Sequence, residues 1–336
     1  DLLDERFFSQ ASPMWQRIYR RMPTFLAQAC EAFFLRKRYA AVITFSGKLG
    51  LAFAMILKLT RARTPHITLN SWISKPRTAI SLKCLHSHIS RIVLWSSVQR
   101  DYAVHSLNIP ESKIAFTKWH VDQKFWRPMD TEPDMICSAG MEMRDYPTFI
   151  EALQGLDINC HIATEESRDQ ILSGCRVRYD MDAMPENITV GVLKPVELRA
   201  LYARSRFVVV PLLPTDTDNG VSVTLEAMAM GKAVICSHVE GQKDVIQAGR
   251  TGIFVPQGDP EALRNAIQFL WTHPEEAERM GQAAREYVEK HHTIDQFVDI
   301  IKHVVDEAVA EKSPVRQRTG DEASENVIVE NASISD

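Results

Sequence analysis

No apolar run in this 336-residue chain approaches the length of a membrane span. The longest clean stretch, Leu49 to Leu57, ends at Lys58, whereas crossing a bilayer takes about 20 residues. The opening DLLDERFF is acidic and lacks the long apolar centre of a signal peptide. Six cysteines (30, 84, 137, 160, 175 and 236) are scattered with no CxxC pair and no metal-ligand spacing. Reduced thiols, no bound metal and a cytoplasmic location, with at most a peripheral attachment to a membrane, are the expectation. No GxGxxG follows any strand-like run, and Gly47-Lys48-Leu49-Gly50 lacks P-loop spacing. Dinucleotide-binding and P-loop readings therefore fall away.

The net charge of −4 conceals a split. Residues 1–130 hold 20 lysines and arginines against 8 acids, and the remainder 19 against 35. A basic front half suits an anionic partner, such as a membrane surface, a phospholipid or a phosphorylated acceptor. Nucleic acid is not expected, because no recognition motif accompanies the charge. The helical stretch 14–38, MWQRIYRRMPTFLAQACEAFFLRKR, mixes aromatics with arginines and a lysine. It reads either as a membrane-surface helix or as a core helix with a basic outer face.

Strands and helices alternate along most of the chain, the pattern of an α/β protein with parallel sheets. Strand-like runs are AAVITFS (40–46), HITL (66–69), RIVLWSS (91–97) and KIAFTKW (113–119), with helices over 48–59 and 98–107. A polar connector, RPMDTEPD (127–134), follows. The rhythm restarts with MICSAG (135–140), INCHIAT (158–164), NITVGVL (187–193), RFVVVPLL (206–213), AVICS (233–237) and GIFVP (252–256). Asp259-Pro260 begins a helix, Asp259 as cap and Pro260 in the first turn. The expected organisation is a first domain over 1–130 and a second over 131–290. A C-terminal helix over 291–310 that packs back on the first domain and a disordered tail over 311–336 complete the expectation.

One stretch carries chemistry: DNGVSVTLEAMAMGKAVICS, residues 218–237. A helix starting near Val221 would aim its unpaired first-turn amides out of the carboxyl end of the preceding strand, which suits phosphate. Gly220 lets backbone approach such a ligand. Ser222 and Glu226 share a helix face, where a carboxylate can accept from a diol such as a ribose. Asp218 stands ahead of the helix, within reach of further hydroxyls. Phosphate, diol and polyol in line describe a nucleotide sugar, although spacing alone leaves an ordinary crossover open.

Several linked stretches then resemble the GT-B retaining glycosyltransferases, family GT4. They are Asp218 eight residues before Glu226, EAMAMGKAVI (226–235), EGQKDVI (240–246) and TGIFVPQGDPEALRNAI (251–267). SAGMEMRDYPTFIEAL (138–153), the run 187–212 and the run 96–128 match further segments, so the resemblance covers residues 40–310. It implies two Rossmann-like doubly wound domains facing a cleft, and sugar transfer from UDP- or GDP-sugar without a metal or other cofactor. By position, Glu226 would bind the ribose and Asp218 the transferred sugar. Ser222, Val221, Gly220 and Gly140 would frame the diphosphate, with Arg144 neutralising its charge. Gly191, Val192 and Leu193 would line the base pocket, and Gly47, Asn70 and Ser71 would face the acceptor, a lipid, glycan or other anionic molecule.

Three departures from the family pattern accompany these matches. The first acid is Asp218 rather than Glu. Asn70-Ser71 stands where members often carry a His, so no catalytic His is assigned, and His66, His120, His291 and His292 are expected at surface or core. The strand and Gly-rich loop with which members open are expected to be missing from this chain. A catalytically weak nucleotide-sugar binder or scaffold is therefore the alternative, and a nucleotide-sugar epimerase of the same fold fits EAMAMGKAVI less well. Docking through segment 14–38 predicts binding to anionic liposomes at low salt and release at high salt; no binding at low salt would exclude it.

Overall fold

The computed structural model describes residues 11–164, 170–172, 175–177 and 184–312. The tail expected to be disordered lies outside these residues from position 313 onward.

Two parallel sheets organise the chain. The first runs in chain order, with β1 (Val42–Thr44), β2 (His66–Leu69), β3 (Arg91–Leu94) and β4 (Ile114–Phe116). Its crossovers are α3 (Gly47–Thr60), α4 (Pro76–Leu85) and α5 (Ser97–Asp101), the last passing into a π-helical turn over Tyr102–Ser106. β2 and β3 are buried along their whole length, which is why they read as continuous apolar runs instead of alternating ones. Ahead of β1 lie α1 (Pro13–Tyr19) and α2 (Thr24–Leu35), separated at Pro23, whose ring disfavours helical backbone in the residue before it. Strand 91–97 is shorter than its sequence run because Ser96 already serves as the N-cap of α5.

The second sheet contains β5 (Met135–Ala139), β6 (Cys160–Ala163), β9 (Ile188–Val190), β10 (Ser205–Val210), β11 (Ala233–Ser237) and β12 (Gly252–Val255). Their spatial order is β12-β11-β10-β5-β6-β9, and β7 (Gln170–Leu172) and β8 (Cys175–Val177) form a separate antiparallel pair. Winding runs outward in both directions from the β5–β10 pair. That pair is the topological switch point, where crevices open beyond the strand ends. One face packs Ile136, Ile162, Phe207 and Ile235 under α6 (Tyr146–Leu153) and α9 (Pro260–Thr272). The other packs Cys137, Val208, Val210 and Val234 under α7 (Pro195–Arg204), α8 (Val221–Ala229) and α10 (Pro274–His291). This alternation is the period-two geometry of a strand covered on both sides.

The chain then returns to the first sheet. Thr293 and Gln296 form a capping box that starts α11 (Ile294–Ala310). Phe297, Ile301, Val304 and Ala308 of this helix pack on Ile67, Leu69 and Val93. Arg91 closes its far end with two hydrogen bonds to Glu311, of 2.8 and 2.6 Å. Near the crossing, Arg285 donates to the carbonyls of Ala229 and Trp126, tying α10 to both α8 and the connector. Among the described residues no helix is long and apolar enough to cross a membrane.

Gly281 is the tightest point of the second domain. A Cβ there would run into the Gly231 carbonyl oxygen, so α10 can seat beside β11 only with glycine at this position. Gly281→Ala is therefore expected to lower stability by about 1–3 kcal/mol through overpacking, against the roughly 1 kcal/mol that alanine normally adds to a helix. Thermal unfolding checks this, and a raised melting temperature would contradict it.

Candidate active site

The carboxyl ends of β5 and β10 meet at one side chain, Arg144. After β5 the chain turns at Gly140, whose φ is +95°. Asp145 caps α6 by accepting from the Thr148 amide. Between them Arg144 forms an antiparallel bridge to Leu212, just beyond β10. Its guanidinium is anchored by carbonyls: Nε donates to Ala139 at 2.9 Å and Nη1 to Glu142 at 2.8 Å. The residue is only 3% exposed. A Cβ on Gly140 or on Gly220 would press against the guanidinium, so both glycines are needed for this placement as well as for their left-handed backbone.

Gly220 is also the N-cap of α8. Of its first-turn amides, those of Val221 and Thr224 bond the Asp218 and Gly220 carbonyls, and those of Ser222 and Val223 open toward the same crevice as Arg144. The loop leading to it is held from below. Gln242 is wholly buried, and its Nε2 donates to the Asn219 carbonyl at 2.8 Å while its Oε1 accepts from Thr224. Gly241 lies against the backbone of Thr217 and Asp218 with no space for a Cβ. These two residues explain the turn EGQKDVI physically: it is the floor of the loop.

The loop is tied across the cleft to the first domain. Gln99 accepts from the Ile73 amide at 2.7 Å and donates to the Asp216 carbonyl at 2.8 Å. The Thr217 hydroxyl lies between the Ser71 carbonyl (3.0 Å) and Asp218 Oδ1 (2.9 Å). Asp244 accepts from the Ser97 amide at 2.7 Å, capping α5 from the opposite domain. Sequence reading missed Gln99, Gln242 and Thr217 as parts of the site; Gln99 and Asp216 are 117 positions apart, and no local pattern announces such a pair.

Between the domains lies a cavity of about 460 Å³, with Arg144, Asp218, Gly220, Val221 and Ser222 on the second-domain side. Ser71 lines it from the first domain, and Asn70 sits just behind, close against Gly47. Glu226 lies one turn deeper along α8 and accepts from the Tyr202 hydroxyl at 3.2 Å. Gly191 follows β9 on the same carboxyl edge, its amide bonded to the Ile162 carbonyl. Val192 is 70% exposed and Leu193 packs beside α7, so these three stand apart from the cavity wall. The four histidines named above do not line it either. His66 is buried, which drives its pKa down to about 3. His292 donates from Nδ1 to the Trp119 carbonyl at 2.7 Å, and burial holds its pKa down to about 4. His120 stacks on Phe297, and His291 packs against Tyr287. Among the described residues no group of three or more His, Cys, Asp or Glu is placed to hold a metal.

Two carboxyls here are pushed up by burial. Asp218 rises to about 6, a shift opposed by the Thr217 hydroxyl, its own backbone and the nearby Trp95 indole, and assisted by Asp244. Its Oδ2 is buried without a full hydrogen bond. Glu226 rises to about 7, opposed by the Tyr202 hydroxyl and the Arg144 charge. Each carboxyl thus keeps its proton in the folded protein at pH values where the unfolded chain has lost it. Stability is expected to fall as pH rises from about 4.5 to about 7, with Glu226 contributing on the order of 3 kcal/mol. Melting temperature against pH should show this fall, and Glu226→Gln should flatten it; an unchanged slope would refute the assignment.

Residues 141–273 match the family model described as glycosyl transferases group 1. The D-rhamnosyltransferase WbpZ of Pseudomonas aeruginosa is 41% identical over 66 residues, 19% of this chain and 17% of that protein. The curated relatives matched first are thus covered over far less than two thirds of their own length. Among solved structures, sucrose-phosphate synthase from Thermosynechococcus elongatus superposes with a TM-score of 0.71 at 16% identity, covering 90% of this chain and 82% of that one. HepE of Anabaena in complex with UDP-glucose gives a TM-score of 0.68 at 13% identity, covering 89% and 90%. These likenesses fix the fold as GT-B, two Rossmann-like domains of mixed α/β architecture.

Proposed function

We propose that this chain, whose residues 141–273 match the group 1 glycosyl transferase model, is a retaining glycosyltransferase using a nucleoside-diphosphate sugar. The observation that carries this reading is the buried Arg144 guanidinium beside the free end of α8 at the sheet switch point. Two donors of positive potential, one a full charge and one a helix dipole, converge on the space where a diphosphate would lie. Glu226 would accept from the ribose hydroxyls, and Gly191 to Leu193, further along the same edge, would meet the base. Asp218 would grip the transferred sugar through its unsatisfied Oδ2.

In the reaction the bond from the sugar C1 to the phosphate oxygen breaks, and the oxygen keeps the electron pair. An acceptor hydroxyl bonds to C1 on the same face, and its proton leaves with the nucleoside diphosphate. Arg144 and the α8 amides would stabilise the charge that develops on the leaving group, which is electrostatic preorganisation independent of a metal. HepE is described with UDP and with UDP-glucose, which supports a nucleotide-sugar donor, UDP or GDP, for this chain as well. A binder with little transfer is the second reading, favoured by Asn70, whose amide is committed to the Thr68 hydroxyl where members often place a His. Slow sugar transfer to water separates the two, because a competent site hydrolyses its donor without an acceptor.

A panel of UDP, GDP, ADP and their sugar conjugates should raise the melting temperature for one base. A native-state ligand stabilises by roughly 3 kcal/mol at about one hundred times its dissociation constant. Glu226→Ala should abolish that shift, and Arg144→Ala should lower turnover by about 100-fold or more, the usual cost of losing one preorganised charge. No shift with any nucleotide, or full turnover in Arg144→Ala, would overturn the proposal.

A further inference from the structure

The first domain's side of the cavity differs in character from the phosphate side. It presents Phe45, Trp72, Trp95 and Trp119, together with Ser71 and Lys75. Trp95 and Trp119 lie with ring centroids 4.4 Å apart and planes 34° from parallel. Trp119 reaches across the cleft, its Nε1 donating to Ser222 Oγ at 3.2 Å. Lys75 rests its ammonium 3.8 Å from the centroid of the Trp72 ring. Among the described residues it has no carboxylate partner within ion-pair distance, although other exposed lysines such as Lys124 and Lys243 do. It is also the N-cap of α4, so the positive end of a ten-residue helix adds to its potential.

This wall is fixed in place. Gln99 accepts from the amides of Ile73 and Ser74 and donates to the Ser74 hydroxyl, holding the loop that carries Trp72 and Lys75. The same glutamine bonds Asp216 of the donor loop, which sets both walls in one frame. Indole faces carry negative potential and attract the weakly positive C–H faces of a saturated ring. A half-buried ammonium held on an indole instead of a carboxylate keeps its donors available to an incoming anion. No acidic side chain stands among the first-domain residues of this wall to repel one.

We infer that the acceptor is a sugar or polyol ring carrying an anionic group, a carboxylate or a phosphate, whose ring packs on the tryptophans and whose anion pairs with Lys75. This rests on the donor reading above and extends it to the second substrate. Trp72 and Lys75 set the selectivity; Arg144 and the α8 end remain committed to the donor diphosphate.

The test holds the full chain with saturating nucleoside diphosphate, so that the donor site is filled, and follows tryptophan fluorescence during titration. The probes are glucuronate, glucose 6-phosphate and glucose. The two acidic sugars should bind at least about ten-fold more tightly than glucose. Lys75→Gln should remove that preference, Lys75→Arg should restore it, and neither should alter the nucleotide-dependent shift in melting temperature. Preference for glucuronate alone or for the sugar phosphate alone identifies which anion is meant and supports the inference in either case. Equal binding of glucose, a preference that survives Lys75→Gln, or no response to any of the three overturns it. A missing nucleotide shift would instead fail the donor reading, and the same titration without nucleotide still reads Lys75 on its own.

Discussion

A guanidinium buried at the seam of two parallel half-sheets is the constraint on which the rest of the site depends. Burying a charge is costly unless it is paired, and Arg144 meets carbonyls rather than a carboxylate at hydrogen-bonding distance. The fold supports this in three ways. Two left-handed glycines clear space around it, β5 and β10 bring their carbonyl ends beside it, and Glu226 lies within electrostatic reach. A cation held in this manner leaves donors turned toward an open crevice. An anion arriving there satisfies a demand already built into the folded state.

From that point the neighbouring features follow as a sequence of supports. α8 must begin at Gly220 for its amides to share the crevice with Arg144. The loop before it must then stay in register, which Gln242 and Gly241 enforce from beneath and Gln99 and Thr217 from across the cleft. Asp218 and Glu226 are carried along into low-dielectric surroundings, and their raised pKa values are the consequence. Hydroxyl-rich ligands that donate to these carboxyls would relieve the desolvation, coupling donor binding to proton release. Binding chemistry and the pH dependence of stability are thus two expressions of one burial.

The two domains divide the work by composition. The second supplies positive potential from backbone and one arginine, while the first supplies indole faces and a lysine at the opposite wall. α11 joins them mechanically by packing Phe297, Ile301 and Val304 onto β2 and β3. The basic excess of residues 1–130 is only partly drawn into this arrangement, since Arg17 on α1 and Arg21 in the turn after it lie outside the cleft's lining.

Arg144 was singled out only through the family resemblance, whereas the sequence by itself determined the alternation of strands and crossover helices, the start of α8 after Gly220, and the shared helix face of Ser222 and Glu226. Each of these rests on local chemistry: β-branched runs, a glycine that permits positive φ, proline in a first helical turn, and a carboxylate at helical spacing. Tertiary structure alone decided that Arg144 would be buried between Gly140 and Gly220, that Gln99 would bridge to Asp216, and that three tryptophans would gather at one wall. Those contacts join residues separated by scores or more than a hundred positions. Their cause is strand order at the switch point and the seating of one domain against the other, neither of which leaves a periodic trace in the chain. Gly191 to Leu193 show the same limit from the other side, because a motif singled them out but only packing sets their distance from the cavity.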